Sequence, residues 1–297
     1  MARSRSLPRL HAFVYALLAC SLAGGCGRIV GMYTRPLSDD LSRSFLRQRD
    51  VELAEQGTPA FLLVLDGLIQ HSPENKDLLL AGSQAYGAYG TAFVAAKDPE
   101  RNKILAAKAK SYGIAALGLQ NKAFAKVKDR PYEQFETCLE TFRKKDVPFV
   151  FQAAASWVGW IQAHASSMEA IADLPKVEGL VRRVLELDET FYYGSGHTFL
   201  GALLTVRPPS LGGRPEEARE HFERALQIGQ DKFLPAYVMF ARQYAMLVYD
   251  EDLFFSLLRR VLESPVDTVP ELTLINTLAQ RQAREMITQA KSEAYFE

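Results

Sequence analysis

Ala218-Arg219-Glu220-His221-Phe222-Glu223-Arg224-Ala225-Leu226 is the stretch whose reading decides the fold. Small residues at 218 and 225 flank an aromatic at 222, and steps of four and three put all three on one helical face. Such a face lets a second helix approach over the small residues while the ring fills the space between them. Upstream, Leu200-Gly201 offers the matching approach point, with the loop Arg207-Pro208-Pro209-Ser210-Leu211-Gly212-Gly213 between the two. Weaker copies of the same spacing stand at Ala109-x3-Gly113-x2-Ala116-Leu117, Val177-x3-Val181-x2-Val184-Leu185 and Phe254-x3-Leu258-x2-Val261-Leu262.

This small-large-small rule is that of the second helix of a tetratricopeptide repeat. The anchors recur at 36 to 68 residues, against about 34 in a regular repeat, so the array is degenerate and carries insertions. An unrelated helical bundle with chance Ala-Leu periodicity is the competing reading. Around the anchors the chain reads as helix almost throughout. The stretch Leu37 to Gln56 is polar with spaced leucines, Thr58-Pro59 opens a second helix, and Asp77 caps a run from Leu78 to Ala96. Asp98-Pro99-Glu100 starts the next, and further helices are expected near 132–144, 147–164, 175–187, 190–206, 215–228, 233–248, 251–263 and 270–295. The expected fold is all-α, a tetratricopeptide-like array of about a dozen helices.

Composition agrees. Of 297 residues, 48% are hydrophobic and 24% charged, with 35 Lys+Arg balancing 35 Asp+Glu, which excludes both a disordered chain and a polycation that coats nucleic acid. Three cysteines, two of them within the first 26 residues, are too few for a disulfide scaffold or a cysteine-built zinc site. Cys138, in Thr137-Cys138-Leu139, reads as a small buried apolar residue rather than a nucleophile.

The N-terminus is an address. Arg3, Arg5 and Arg9 precede an apolar run from about Leu10 to Ala23, shorter than the roughly 20 residues a spanning helix needs. Leu22-Ala23-Gly24-Gly25-Cys26 then resembles the bacterial lipobox, in which the cysteine takes a diacylglycerol and the chain is cut before it. Leu17-Leu18-Ala19-Cys20 is a weaker second candidate, and a plain secretory signal cleaved at Ala23 or Gly25 is the bland alternative. The expected organisation is a signal peptide over 1–25, an acylated tether over 26–36 from Cys26, and one helical domain over 37–297. Cutting after Gly25 leaves 32 Lys+Arg against 35 Asp+Glu, with no basic patch for nucleic acid; membrane attachment would come from the acyl chains.

Several segments together resemble the T component associated with tripartite ATP-independent periplasmic (TRAP) transporters, the TatT family. They are Pro73-Glu74-Asn75-Lys76-Asp77-Leu78-Leu79-Leu80-Ala81 with Tyr86, Tyr89, Phe93 and Val94, then Asp146-Val147-Pro148 with Ala153-Ala154, Trp157, Gly159 and Trp160. Gly194-Ser195-Gly196-His197-Thr198-Phe199-Leu200-Gly201-Ala202, with Arg207-Pro208, Leu211-Gly212-Gly213, Ala218, His221 and Phe222, is the most specific; Asn276, Leu278-Ala279-Gln280-Arg281 and Ala283 complete the set. The resemblance covers roughly Gly57 to Ala290. It implies a non-enzymatic, periplasm-facing lipoprotein of the bacterial cell envelope, with the outer membrane as the expected site of the lipid anchor. It also implies a homotrimer that docks the transporter's substrate-binding protein. A generic tetratricopeptide scaffold lipoprotein for envelope assembly is the alternative.

Candidate partner- or ligand-binding residues are Trp157, Trp160, Tyr192, Tyr193, His197 and Arg207. The aromatics make an apolar or amphipathic ligand conceivable, yet Trp157 and Trp160, three apart on one face, equally suit a core. His197 has no His, Asp or Glu at metal-ligand spacing, so packing is its default role and no metal is expected. Arg207 has two readings, a clamp on a partner carboxylate or a cap on helix carbonyls. Gly-x-Ser-x-Gly, Gly-x4-Gly-Lys-Ser/Thr, His-Glu-x2-His and Gly-x-Gly-x2-Gly are all missing from the sequence, so neither catalysis nor a cofactor is expected.

Overall fold

The computed structural model describes residues 43–207, 209–293 and 295–296; among these the regular structure is entirely helical. The expected signal peptide over 1–25, the expected tether over 26–36 and Cys26 lie outside the described residues. The first long helix, α1 (Val51–His71), begins where the Asp50 carboxylate accepts the Leu53 amide. Thr58-Pro59 therefore does not open a helix. The earlier cap and a continuous buried stripe of Ala54, Thr58, Leu62, Leu65 and Ile69 carry α1 through the proline, and the Thr58 hydroxyl turns back to the Ala54 carbonyl at 2.5 Å. Helix α2 (Lys76–Tyr89) is capped by Asn75, not Asp77, and relaxes into a π turn over Gly90–Val94. Helix α3 (Pro99–Gln120) starts as its sequence predicts, with Asp98 at the cap and Pro99 in the first turn.

Two short helices, α4 (Lys122–Val127) and α7 (Met168–Ala172), escape the periodicity reading because each is under two turns. The expected helix over 132–144 breaks up into α5 (Tyr132–Phe135) and 3-10 turns at Glu136–Thr141 and Lys144–Asp146. Phe135, Cys138 and Phe142 all reach the same core from this segment, and the helix ends at Phe142, whose backbone is extended. Cys138 is 1% exposed, and burial pushes its thiol up to about 11, out of the nucleophilic range. There follow α6 (Val147–Ala163), α8 (Leu174–Asp188), α9 (Phe191–Leu204), α10 (Pro215–Gly229) and α11 (Pro235–Phe240), the last ending in a π turn over Ala241–Ala245. Helices α12 (Glu251–Glu263) and α13 (Thr273–Ser292) close the chain.

The quoted stretch packs as its spacing requires. Ala218, Phe222 and Ala225 are fully buried, and Phe222 stacks on Phe240 with ring centroids 5.0 Å apart. Gly201 on α9 meets it directly: a Cβ there would lie 2.8 Å from the Phe222 ring, so only glycine lets the two helices close. At Gly113 a Cβ would come within 2.6 Å of Ser156 Oγ and 2.9 Å of Ser83 Oγ, so α3 touches both α2 and α6 through a hydrogen of glycine.

The chain also folds back on itself. Leu274 and Leu278 of α13 pack into the cluster of Ala54, Leu62, Tyr86 and Leu105 formed by α1, α2 and α3. Arg47 pairs with Glu271 and Arg49 with Asp267 beside it. Asn276, fully buried, ties three segments together, accepting from the Leu234 amide at 3.0 Å and donating to the Lys232 and Val266 carbonyls at 2.9 and 3.1 Å.

Candidate functional site

The backbone itself marks one end of the α9–α10 pair. Tyr192, Tyr193 and Gly194 carry φ of 42°, 60° and 77°, three consecutive left-handed residues inside the expected helix 190–206. For the two tyrosines this conformation costs about 1–2 kcal/mol each. The neighbours hold them there: Tyr193 stacks on Phe233 at 6.4 Å, Tyr192 meets the same ring edge-on at 5.5 Å, and the Ser195 hydroxyl donates to the Tyr192 carbonyl at 2.5 Å. Gly194 has no room for a side chain, since a Cβ would stand 3.1 Å from Ile228 on α10.

A second left-handed turn abuts the first. Gln230 and Asp231, at φ 47° and 59°, follow the last residue of α10, and the Tyr193 carbonyl lies 3.5 Å from the Cβ position of Gly229. Strained backbone of this kind persists where surrounding structure enforces it and concentrates at functional sites. The second turn forms one wall of an open groove of about 480 Å³ between α10, α11 and α12, floored by Leu226 and Leu257 and rimmed by Gln227, Gln230, Ser256 and Arg260. Asp231 fixes that rim. It binds the Arg260 guanidinium and the Tyr237 hydroxyl, and Arg260 holds its carboxyl below the usual range, while burial and the Asp231 acceptor push Tyr237 up to about 12.

The candidate residues separate into three places. Tyr192, 41% exposed, and Tyr193 sit at the strained end. His197, one turn on, is buried, and His221 of α10, 24 residues away, completes a pair with it at 2.8 Å between Nδ1 atoms; sequence spacing within one helix had no means of finding this partner. Arg207 lies past the other end of α9, exposed, and among the described residues its side chain makes no hydrogen bond; the Leu204 carbonyl, which it could have capped, accepts from the Arg214 amide at 2.9 Å. Among the described residues no three His, Cys, Asp or Glu side chains are placed to share a metal ion.

Trp157 and Trp160 lie elsewhere, at the junction of α3, α6 and α8. Trp157 is 3% exposed, donates from Nε1 to Asp173 Oδ2 at 2.9 Å and meets Phe135 edge-on at 6.3 Å. Lys110 Nζ rests 3.3 Å above the Trp160 ring centre and 3.6 Å from Asp173, and Lys176 Nζ lies 3.2 Å from the other Asp173 oxygen. Burial pulls the Lys110 ammonium down from its ordinary value, opposed by Asp173. Trp157 Nε1, Lys110 and Lys176 all converge on Asp173, so Trp157 serves the core, while Trp160 is half-buried at its edge under Lys110.

This geometry defines a class first: an all-helical protein in which two left-handed turns abut at one end of a tightly packed helix pair. The model of the TRAP transporter T-component family matches residues 47–296, and the chain belongs to that family. It is similar, at 24% identity over 317 residues, to an uncharacterized protein of Treponema pallidum (strain Nichols), with 93% of this chain and 95% of that protein covered. The family gives the chain a role in a TRAP transport system, a transport-associated rather than catalytic one, in association with the cell envelope. Among the described residues no helix is long and apolar enough to cross a membrane.

Proposed function

We propose that this T component is a periplasm-facing lipoprotein, anchored through Cys26 in the outer membrane, that docks the substrate-binding protein of its TRAP system through the α9–α10 face. The helix pairs α9–α10 and α11–α12 then form part of a tetratricopeptide-like array, a plan that presents extended surfaces to partners. One observation carries the choice of face: the two abutting left-handed turns, which place exposed Tyr192 and the 480 Å³ groove at the same end of one helix pair. The groove, apolar in its floor and polar at its rim, also suits an amphipathic ligand.

Self-association has its own support. The outward face of α1 carries Leu53, Gly57, Ala60, Leu63, Val64, Gly67 and Leu68, with Gln56 among them and Glu52 as the one charge at its edge, Leu63 being 72% and Val64 60% exposed. A face with so little charge is what a homotrimer would cover.

The test is surface plasmon resonance between the chain from Gly27 onward and the TRAP substrate-binding protein of the same organism. Arg207→Ala is expected to lower affinity at least tenfold, about 1.5–3 kcal/mol for a charge-assisted contact buried at the interface, with the helical circular dichroism unchanged. Absence of binding by the parent removes docking; binding untouched by Arg207→Ala moves the contact elsewhere on the face. In cells, Cys26→Ser is expected to release the protein from the membrane, and mass spectrometry of the mature N-terminus reads the lipid directly.

A further inference from the structure

Between α9 and α10, His197 Nδ1 and His221 Nδ1 are 2.8 Å apart. Two ring nitrogens at that distance share one proton, carried by one and accepted by the other. The far nitrogens decide the direction. His197 Nε2 lies 3.3 Å from Glu189 Oε2, within reach of a donated proton, whereas His221 Nε2 stands 3.9 Å from Glu217 Oε1, beyond it. The neutral pair is thus a relay: His221 Nδ1–H donates to His197 Nδ1, and His197 Nε2–H donates to Glu189. A third proton has a place on His221 Nε2, facing Glu217. A fourth has none, because it would set two N–H groups head to head with both rings charged.

The relay straddles the strained turn. Glu189 precedes Tyr192-Tyr193-Gly194 and His197 follows it, while Arg224 of α10 grips Glu189 through Nε at 3.1 Å and a terminal nitrogen at 2.6 Å. The charged groups facing the pair are Glu178, Arg182 and Glu189 from α8 and its end, Glu217 and Arg224 from α10, and Arg214 just before it. Arg182 and Arg214 already hold Glu217 and Glu178. Three acids meet three arginines, so no surplus carboxylate waits for a second imidazolium.

We infer that His197 and His221 form a proton-operated latch, which holds the left-handed turn against α10 until both rings carry charge and then lets it open. Burial is the largest cause lowering both histidines from the ordinary 6.5. Below that value the unfolded chain therefore takes up protons that the folded pair refuses, and stability, complete on the alkaline side, falls with acidification. The latch stands independently of docking, and its test needs no partner.

Amide hydrogen exchange, corrected for the intrinsic pH dependence, reads the turn. Between about pH 7.5 and about pH 5, residues 191–198 of the parent are expected to lose at least about tenfold in protection relative to α2 and α3. His221→Gln, whose amide can donate to His197 Nδ1 but cannot take a charge, should hold that ratio within about twofold. A parent whose turn loses no more than α2 and α3, or a variant that loses as much as the parent, overturns the latch. Should the variant fail to fold, ¹⁵N spectra of the parent imidazoles decide: the relay demands His221 as the Nδ1–H tautomer and His197 as the Nε2–H tautomer at neutral pH. Two identical tautomers overturn it, as does one equivalent of zinc chloride shifting both rings, which would make the pair a metal ligand.

Discussion

Trp157–Trp160 and Tyr192–Tyr193 are both aromatic pairs that sequence alone offers as ligand surfaces, and they come to opposite ends. The tryptophans sit on regular helix, and their cations and carboxylate are all partnered inside the cluster. The tyrosines sit on backbone that L residues avoid, one of them half open to solvent. The two settings differ in backbone cost: none at the tryptophans, and at the tyrosines the cost of two positive φ angles.

Truncating the packed pair should break the comparison most visibly. Trp157→Ala removes a buried ring and the donor to Asp173, and a loss of about 3–5 kcal/mol is expected in urea unfolding. A loss under about 1 kcal/mol would mean the tryptophan region is no better packed than the tyrosine region. Gly194→Ala is a smaller change, destabilising by about 1–3 kcal/mol through the positive φ and the Ile228 contact, again read from urea midpoints. Gln230→Gly sharpens the contrast from the other side. Relief of its left-handed strain should leave stability unchanged or raise it by up to about 1 kcal/mol in a thermal melt, an outcome with no counterpart on regular helix.

What the sequence made legible follows from local physics. Asp98-Pro99 starts α3 as read, because cap and first-turn proline act within four residues. The buried anchors Val177, Val181, Phe254 and Leu258 follow from periodicity alone. The misses are tertiary. Pro59 is overruled by a stripe that α2 and α3 cover, the left-handed turn is imposed by Phe233 and Ile228 from beyond α9, and His197 finds its partner on the adjacent helix. Asn276 likewise spends its side chain wholly on backbone groups of two separate loops. Cap and proline rules see four residues; these contacts span from 10 to 44.

The meeting of α13 with α1 sets a load path. Tension on the chain ahead of Arg43 enters through Arg47 and Arg49 and passes at once to Glu271 and Asp267, at the far end of the sequence. A solenoid hung by one end would be peeled helix by helix, each repeat yielding in turn. Here the first long helix and the last share a cluster of apolar side chains, so a pull at the N-terminus is expected to load both ends together rather than peel α1 away alone.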